Sequence, residues 1–342
     1  MKREQIHFQE DWRRLDQALA HYLVEVATRS QISNWIKQGH LTNLEGKVLK
    51  AKQSVKAGET VVLIIPDPLP QDLQPQAMDL DIIYEDQALL VINKPTGLVV
   101  HPGAGNPNGT LVNGLLAYNA DQLSEGSDPQ RPGIVHRIAK DTSGLIIVAR
   151  TDRVHHRLAQ ALRERRIGRH YTALVYGQMR EDSGLIDAPL ARDPKNRKRM
   201  AVNRKGRTAK THYKVVARLK HGSLLAVSLE TGRTHQIRAH MRAIGHPLMG
   251  DPVYAPGREA FGLPGQALHA HKLTFDHPLS GEPLSFTAPL PGPFCRTLLD
   301  LGATRETIDA WSAGQQIAWP EVPVPDLDTT FDTTDEDGEE DE

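Results

Sequence analysis

The sequence predicts an α+β protein built around a mixed, mostly antiparallel β-sheet. Short apolar runs rich in β-branched residues recur along the chain, as at residues 89–92 and 145–149, and turn residues separate them. Helical patterns are few, and they do not alternate with strands in the order that a parallel sheet requires. The length of 342 residues suits one large domain together with a small one.

The composition excludes several classes of protein. The single cysteine, Cys295, excludes an intrachain disulfide and a multi-cysteine zinc site, and we interpret it as a small buried apolar residue rather than a reactive thiol. The longest apolar runs, such as residues 61–65, are too short to cross a bilayer. The charged N-terminal residues show no secretory signal. We therefore expect a cytoplasmic protein without membrane association.

The charge of the chain is unevenly distributed. The formal net charge is −1, but residues 321–342 hold eleven acidic residues and no basic ones. Without them the chain has 41 basic and 31 acidic residues, a net charge of +10. A basic body predicts a polyanionic partner, most simply a nucleic acid, although an ordinary charged surface remains the alternative. We expect the acidic tail to be disordered.

The chain divides into four predicted regions. Residues 13–65 combine two helical patterns with short β-like runs and form a small module. Residues 66–78 contain four prolines and form a predicted semi-rigid linker. Residues 79–320 form the large domain, and the acidic tail follows.

The segment GIVHRIAKDTSGLIIVAR, residues 133–150, is a polar turn that leads into a buried strand. Such a loop is either a site for catalytic groups or an ordinary turn before a core strand. The segment resembles the His-Arg-Leu-Asp-x-x-Thr-Ser-Gly-Leu signature of the RluA-type pseudouridine synthases. Three further phrases, INKPTGLVVHPG, RHYTALVYG and TGRTHQIRAH, match the same family in the same order. The position of the family's catalytic aspartate is occupied by Ala139.

The resemblance implies a pseudouridine synthase fold and, in the RluD-like branch, isomerisation of uridine to pseudouridine in large-subunit ribosomal RNA. It implies base flipping and no cofactor. In the motifs, Arg238 corresponds to the arginine that pairs with the catalytic aspartate, Tyr171 to the tyrosine that packs on the target base, and Arg137 to the residue that fills the space of the flipped nucleotide. Ile237 would form a wall beside the base.

Ala139 implies that this chain is inactive or severely impaired, and that Arg238 is left as a buried cation without its partner. Asp141 is the nearest carboxylate in the sequence. We expect it to serve the turn rather than to replace the nucleophile, because a displacement of even about 1 Å can reduce a rate roughly a hundredfold.

Two basic regions are candidate RNA-binding surfaces. The module at 13–65 resembles the alpha-L RNA-binding domain, and the residues on its implied RNA-facing surface are Arg13, Arg14, Arg29, Ser30, Gln31, Lys37 and His40. Residues 192–210 hold nine basic residues and one acidic residue, and this predicted hairpin contains Arg197, Lys198, Arg199, Arg204 and Lys205. A high density of basic residues suits contacts with the phosphates of a nucleic acid. A solvated helix face and a disordered basic loop are the respective alternatives.

The histidines do not predict a metal site, because their spacings fit no pair of helical ligands and no carboxylate or cysteine completes a set. We expect ribosomal RNA, or its assembling particle, as the partner of a monomeric protein. A non-catalytic RNA-binding or ribosome-assembly factor on the same scaffold is the alternative function.

Overall fold

The computed structural model describes residues 2–23, 29–65, 73–103, 105–125, 128, 130–196 and 198–323. Within these ranges the side chains of residues 2, 29–31, 34 and 121 are not described. The chain divides into two compact units, one within residues 1–72 and one that starts at residue 73. None of the described helices has the length and hydropathy of a membrane span. The predicted acidic tail lies outside the described residues from position 324 onward.

The first unit is a three-stranded antiparallel sheet with two helices. Its elements are β1 (Lys2–His7), α1 (Leu15–Tyr22), α2 (Arg29–Lys37), β2 (Leu41–Asn43) and β3 (Thr60–Ile65). The strand order is β1-β3-β2, so the first strand of the chain pairs with the last strand of the unit. Ile6 and Phe8 belong to its core, together with Leu19 and Ile32. The unit therefore begins before residue 13, where the sequence prediction placed its start.

The predicted linker at 66–78 is corrected in its second half, and residues 66–72 lie outside the described part of the chain. Residues 73–78 form no helix or strand, but they pack on the second unit. The Gln74 carbonyl accepts a hydrogen bond from Asn113 Nδ2 at 2.9 Å, and Gln76 Oε1 accepts one from the Gly109 N–H at 2.7 Å. Met78 lies against Gly114, where a Cβ would come within 2.4 Å of its sulfur. These contacts make the segment part of the large domain.

The second unit contains eleven strands and five helices among its described residues. The strands are β4 (Ile82–Glu85), β5 (Leu89–Lys94), β6 (Ser143–Ala149), β7 (Gly168–Tyr176), β8 (Ser183–Asp187), β9 (Leu190–Arg192), β10 (Met200–Val202), β11 (Lys210–Leu219), β12 (Gly222–Leu229), β13 (Leu268–Asp276) and β14 (Pro283–Thr287). The helices are α3 (Leu111–Asn119), α4 (Asp152–Arg163), α5 (Gln236–Ala243), α6 (Gly292–Asp300) and α7 (Arg305–Ser312).

Nine of these strands form one sheet in the order β4-β5-β6-β13-β7-β12-β11-β8, with β14 also paired to β13. Among the described strands every pair in this sheet is antiparallel except β6–β13, which is parallel. The predicted fold class, a mixed and mostly antiparallel sheet with few helices, is confirmed. The strands β9 and β10 form a separate two-stranded hairpin.

The helices cover both faces of the large sheet. On one face, α3 and α5 pack on Ile146, Val148 and Val227. On the other face, α4 packs on the β5–β6 half, and α6 and α7 pack on Leu174 and Leu224. Because each sheet face is buried, the central strands are almost continuously apolar.

The parallel pair β6–β13 determines where the signature loop lies. The two strands are paired only at Ser143–His269 and Gly144–Ala270. Beyond this point β13 pairs with β14, while residues 133–136 hydrogen-bond to β6 through the Gly133 carbonyl and the His136 ring. The chain then turns at residues 137–142 to enter β6, so the signature loop lies at the start of β6, next to the Ser143–His269 pair.

Candidate active site

The signature loop, residues 136–142, is held by hydrogen bonds at both of its ends. At its start, His136 Nε2 accepts the Ile147 N–H at 3.0 Å. Burial, and to a lesser degree the charge of Arg169, lowers the pKa of His136 to about 3, so this ring is a neutral acceptor. At its end, the Thr142 N–H donates to the Ala139 carbonyl at 2.9 Å, which closes a turn. Ala139 itself is half-buried.

The Lys94 side chain holds the signature loop at Lys140. This side chain is fully buried, and Nζ donates to the carbonyls of Pro95 and Leu98 at 2.8 Å and of Lys140 at 3.0 Å. Burial lowers the pKa of Lys94 to about 7, and the charge of Asp141 opposes this effect. The phrase INKPTGL thus contacts the signature loop at the Lys140 carbonyl, which accepts hydrogen bonds from Lys94 Nζ and from the Gly97 N–H.

Gly144 is required where the loop enters β6. Its φ is +108°, and a Cβ there would lie 2.2 Å from the Ala270 carbonyl oxygen. Only glycine fits this combination of backbone angle and close strand approach. The preceding Ser143 hydroxyl is hydrogen-bonded to His269 Nδ1 at 2.9 Å, which joins β6 to β13. Both strands therefore constrain the direction in which the loop leaves the sheet.

Arg238 has a carboxylate partner, contrary to the prediction of an unpaired buried cation. Its Nε donates to Asp251 Oδ2 at 2.7 Å and its Nη2 donates to Oδ1 at 2.9 Å. Both side chains are buried, at 6% and 0% exposure. The sequence prediction was wrong because it considered only residue 139 as a partner, whereas Asp251 follows α5 in a separate turn.

The Arg238–Asp251 pair is stabilised from a second direction. Asp251 Oδ1 also accepts the N–H groups of Val253 and Tyr254, each at 2.9 Å. The Arg238 guanidinium lies 5.0 Å from the centre of the Tyr254 ring, within cation–π range. Asp251 thus accepts four hydrogen bonds, three at Oδ1 and one at Oδ2, and Arg238 is held in one orientation.

Tyr171 and Ile237 lie in the core cluster that underlies this site. Both are buried, at 7% and 4% exposure, and Ile138 of the signature loop belongs to the same cluster. Burial raises the pKa of Tyr171, and the positive charge of Arg169 partly opposes this effect. The Tyr171 side chain is therefore a neutral aromatic group that is almost entirely buried.

His235 lies among the positive groups of the site. Burial lowers its pKa to about 4, and the charges of Arg238, Arg137 and Arg192 lower it further, while Asp251 raises it. These interactions put Arg137 and Arg238 in one neighbourhood, although they come from separate motifs. Arg137 Nη1 also approaches His101 Nε2, at 3.4 Å.

Asp141 occupies a different environment from Arg238. Its side chain lies against Gly265, where a Cβ would come within 2.6 Å of the Asp141 Cβ. The cation whose charge it influences is Lys94. Its carboxylate makes no hydrogen bond to any residue in the described part of the chain, so the expected role in the turn is not observed.

The comparisons with known proteins identify the family. A sequence profile described as RNA pseudouridylate synthase matches residues 88–243. An RNA pseudouridine synthase of Bacillus subtilis named YlyB is 49% identical over 264 residues, which cover 77% of this chain and 86% of that protein. The chain belongs to the RNA pseudouridine synthase family.

Two further relatives extend the similarity over more of the chain. Ribosomal large subunit pseudouridine synthase D of Zymomonas mobilis is 44% identical over 304 residues, 85% of this chain and 95% of that protein. The protein of the same name from Pseudomonas aeruginosa is 41% identical over 315 residues, 88% of this chain and 96% of that protein.

A solved structure shares the pseudouridine synthase fold. Human RNA pseudouridylate synthase domain containing 1 superimposes with a TM-score of 0.52 and 22% identity, covering 77% of this chain and all of that chain. The sequence identity is low, so this similarity supports the fold alone.

The basic segment of the pseudouridine synthase domain is a hairpin rather than a disordered loop wherever it is described. The strands β9 and β10 pair, and the Met200 N–H donates to Tyr254 Oη at 2.8 Å. Lys198, Arg204 and Lys205 are exposed, whereas Arg199 is half-buried and donates to Asp193 at 2.6 Å. Arg197 lies outside the described residues.

The predicted RNA-facing residues of the first unit differ in their surroundings. Lys37 is exposed in the last turn of α2, and Arg13 is exposed before α1. Arg14, in contrast, forms two hydrogen bonds to Asp16, at 2.8 and 2.9 Å. Arg29 and Ser30 begin α2, but their side chains and that of Gln31 lie outside the description.

Sequence reasoning missed Asp251, Tyr254 and His235. Asp251 lies thirteen residues after Arg238 and belongs to a turn, so no helical or strand periodicity connects the two. The only available signal was the Gly-Asp pair at 250–251, in the turn that follows α5. Among the described residues, no group of three histidine, cysteine or acidic side chains could hold a metal ion.

Proposed function

We propose that this protein is built to isomerise uridine to pseudouridine in large-subunit ribosomal RNA, and that Ala139 leaves it inactive or severely impaired. The RNA substrate is suggested by relatives named for the ribosomal large subunit that align over most of this chain. A substrate of this kind implies action in the cytoplasm, and the chain is expected to act as a monomer.

The proposal rests mainly on the contacts of the two carboxylates near the signature loop, Asp251 and Asp141. Asp251 accepts two hydrogen bonds from Arg238 and two from backbone N–H groups, and it is fully buried, so it is held in the ion pair and not free to attack a nucleoside. Asp141 packs on Gly265 and interacts with Lys94 rather than with Arg238. Neither group replaces a nucleophile at position 139.

The proposed roles of the remaining residues follow from their chemistry. The reaction breaks the bond between the uracil nitrogen and the ribose, turns the base and forms a carbon–carbon bond in its place. Tyr171 provides a buried aromatic surface for the extruded base, and Arg137 fills the space that the base leaves in the RNA. Arg238, fixed by Asp251, would keep a carboxylate at position 139 ionised.

RNA binding is proposed for two surfaces. The first unit, residues 2–65, contributes Arg13, Lys37 and the start of α2 with Arg29 and Ser30. The hairpin at 192–210 contributes Arg197, Lys198, Arg199, Arg204 and Lys205. Each lysine or arginine that contacts a phosphate releases counterions, so binding should weaken steeply as the salt concentration rises.

A second candidate function is a non-catalytic RNA-binding or ribosome-assembly factor. Ala139 favours it, because a chain without the nucleophile retains the basic surfaces and the fold. The two candidates predict the same RNA affinity and differ in what restoration of the carboxylate achieves.

The test is a pseudouridine map of large-subunit ribosomal RNA transcripts treated with the native chain, Ala139→Asp and Ala139→Asn. The asparagine variant matches the aspartate in size but lacks the charge. New pseudouridine at discrete positions with Ala139→Asp alone supports the synthase. If all three chains bind the RNA tightly and none of them forms pseudouridine, the synthase proposal is wrong and the non-catalytic RNA-binding function takes its place.

A further inference from the structure

Arg169 is a site residue that no motif argument assigned. It is the second residue of β7 and precedes Tyr171 by two positions, so both side chains project from the same face of the sheet. The charge of Arg169 acts on His136 of the signature loop and on Tyr171. Its Nη1 lies beside Gly232 of the phrase TGRTHQIR. Arg169 thus lies where three site motifs meet.

The Arg169 guanidinium lacks a partner within the described residues. Its Nε is buried and makes no hydrogen bond, and no described carboxylate forms an ion pair with it. The side chain is half-buried, and this burial lowers the pKa of Arg169. Arginines that are partly withdrawn from water are normally paired and hydrogen-bonded, because desolvation of an unpaired charge is costly. The fold thus tolerates an unpaired guanidinium at Arg169, beside the proposed active site.

The nearby carboxylate, Glu230, is already occupied. It accepts a hydrogen bond from Arg165 Nη1 at 2.6 Å and is paired with His212 Nε2 at 2.7 Å. Arg238, the buried arginine of the site, has Asp251. The chain therefore supplies partners to the arginines around Arg169 but not to Arg169.

A carboxylate at position 139 would not be the missing partner. On β13, Ala270 is opposite both Tyr171 and Gly144, whereas Leu273 is opposite Arg169. Residue 139 precedes Gly144 in the turn that enters β6, and Arg169 lies about 10 Å along β13 in the other direction. The two positions are on opposite sides of Tyr171.

The guanidinium is accessible from the surface at Gly232. Gly232 is exposed, and a Cβ there would lie 2.4 Å from Arg169 Nη1. Because Gly232 has no side chain, Nη1 of Arg169 is not covered at this position. A planar guanidinium with free N–H donors matches the geometry of a phosphate oxygen pair.

We infer that Arg169 binds a backbone phosphate of the RNA next to the extruded uridine, through the gap at Gly232. The inference rests on the proposed RNA substrate and adds one defined phosphate contact to it. The shared chemistry is a phosphate group, and the RNA backbone is favoured over free phosphate because Tyr171, the proposed base platform, is two residues away on the same face.

The first experiment compares the native chain, Arg169→Gln and Arg169→Lys in binding to an unmodified large-subunit ribosomal RNA transcript over a range of salt concentrations. Arg169→Gln should weaken binding roughly tenfold at low salt and reduce the slope of log affinity against log salt by about 1. Arg169→Lys should keep most of the slope. Arg218→Gln, which removes an arginine paired with Asp182, is the matched control and should leave the slope unchanged.

The second experiment measures thermal unfolding without RNA. Arg169→Gln should leave the melting temperature unchanged or raise it, because it removes a partly buried charge that has no partner. Inorganic phosphate should raise the melting temperature of the native chain and have less effect on Arg169→Gln. This arm does not depend on RNA, so it separates failure of the phosphate site from failure of the proposed function.

Gly232→Ala provides a double-mutant cycle. The added methyl group should displace the guanidinium and weaken RNA binding in the native chain, with no further loss in Arg169→Gln. Unchanged RNA affinity and salt slope in Arg169→Gln would overturn the inference. A fall in melting temperature with unchanged slope would assign Arg169 to the fold, and a phosphate effect without an RNA effect would assign the site to free phosphate.

Discussion

Arg238 and Asp251 form an ion pair that is closed to solvent on both sides, so it differs energetically from the surface pairs of this protein. The attraction is strong in such an environment, but each partner depends on the other to offset its desolvation. Two backbone N–H groups that donate to Asp251 add to this dependence. The pair is therefore a rigid part of the site rather than an adjustable one.

At this scale we predict that Asp251→Asn lowers the free energy of unfolding by about 3–5 kcal/mol, because it leaves a buried guanidinium uncompensated. Chemical denaturation of the native chain and the variant measures the difference. Asp182→Asn is the control: its partner is Arg218 and its side chain is 84% exposed, so the loss should stay below about 1 kcal/mol. Equal losses in the two variants would contradict the role of burial.

Individual residues were predictable only where a motif named them. Arg137 and Arg238 were singled out in separate motifs, and they do act on the same histidine. Asp251 and Arg169 were not predicted, because their importance comes from what surrounds them in space. A hydrogen-bond partner thirteen residues away, or a missing partner, leaves no periodic trace in a sequence.

The hairpin β9–β10 connects the basic surface to the site through one aromatic residue. Tyr254 Oη accepts the Met200 N–H at 2.8 Å and donates to the Met200 carbonyl at 3.1 Å, while its ring lies against Arg238. Burial raises the pKa of Tyr254 to about 12, so the hydroxyl stays protonated and keeps both bonds. The element that is proposed to contact RNA is thus anchored beside Arg238.

For this element we predict that Lys198→Gln, Arg204→Gln and Lys205→Gln, combined in one variant, reduce the salt slope of RNA binding by about 2 to 3, since each lost phosphate contact removes just under one unit. Titrations at several salt concentrations measure the slope, and circular dichroism checks the fold.

The control for the hairpin variant removes three exposed basic residues near α6 and α7, namely Lys220, Arg296 and Arg305. If this control reduces the slope as much as the hairpin variant does, the binding depends on overall charge and the hairpin has no special part in it.

Elements were predictable where their pattern was long and unambiguous. The two helical patterns predicted within residues 13–65 correspond to α1 and α2. The helices α6 and α7 were not predicted, and Pro293 lies in the first turn of α6, where its missing N–H costs nothing. Strand β1 was missed because only two apolar residues, Ile6 and Phe8, mark its buried face.

At the scale of the whole molecule, several histidines are buried as neutral rings. Burial is the main cause of a lowered pKa in each case, to about 3 for His136 and His271 and to about 4 for His170, His235 and His269. In the unfolded chain these groups titrate near 6.5. Between about pH 4 and 6.5 the unfolded state therefore binds more protons than the native state.

We predict that the free energy of unfolding falls as the pH drops below 6.5, by up to about 1.4 kcal/mol per pH unit for each such histidine, and that it is constant with respect to these groups above that pH. Urea denaturation at pH 7, 6 and 5 measures the trend. His269→Gln should reduce the pH dependence by one proton, while His156→Gln, at an exposed position, should not change it. A stability that is flat from pH 7 to 5 would contradict neutral burial.

The most direct test of the account is the single-turnover rate of pseudouridine formation by the native chain and by Ala139→Asp. Tritium release from RNA labelled at the uracil C5 position, with enzyme in excess, measures this rate. The account predicts that Ala139→Asp exceeds the native chain on the order of 10³-fold or more, because covalent catalysis without its nucleophile retains only the contribution of positioning. Equal rates in the two chains would show that another group is the nucleophile and would contradict the account.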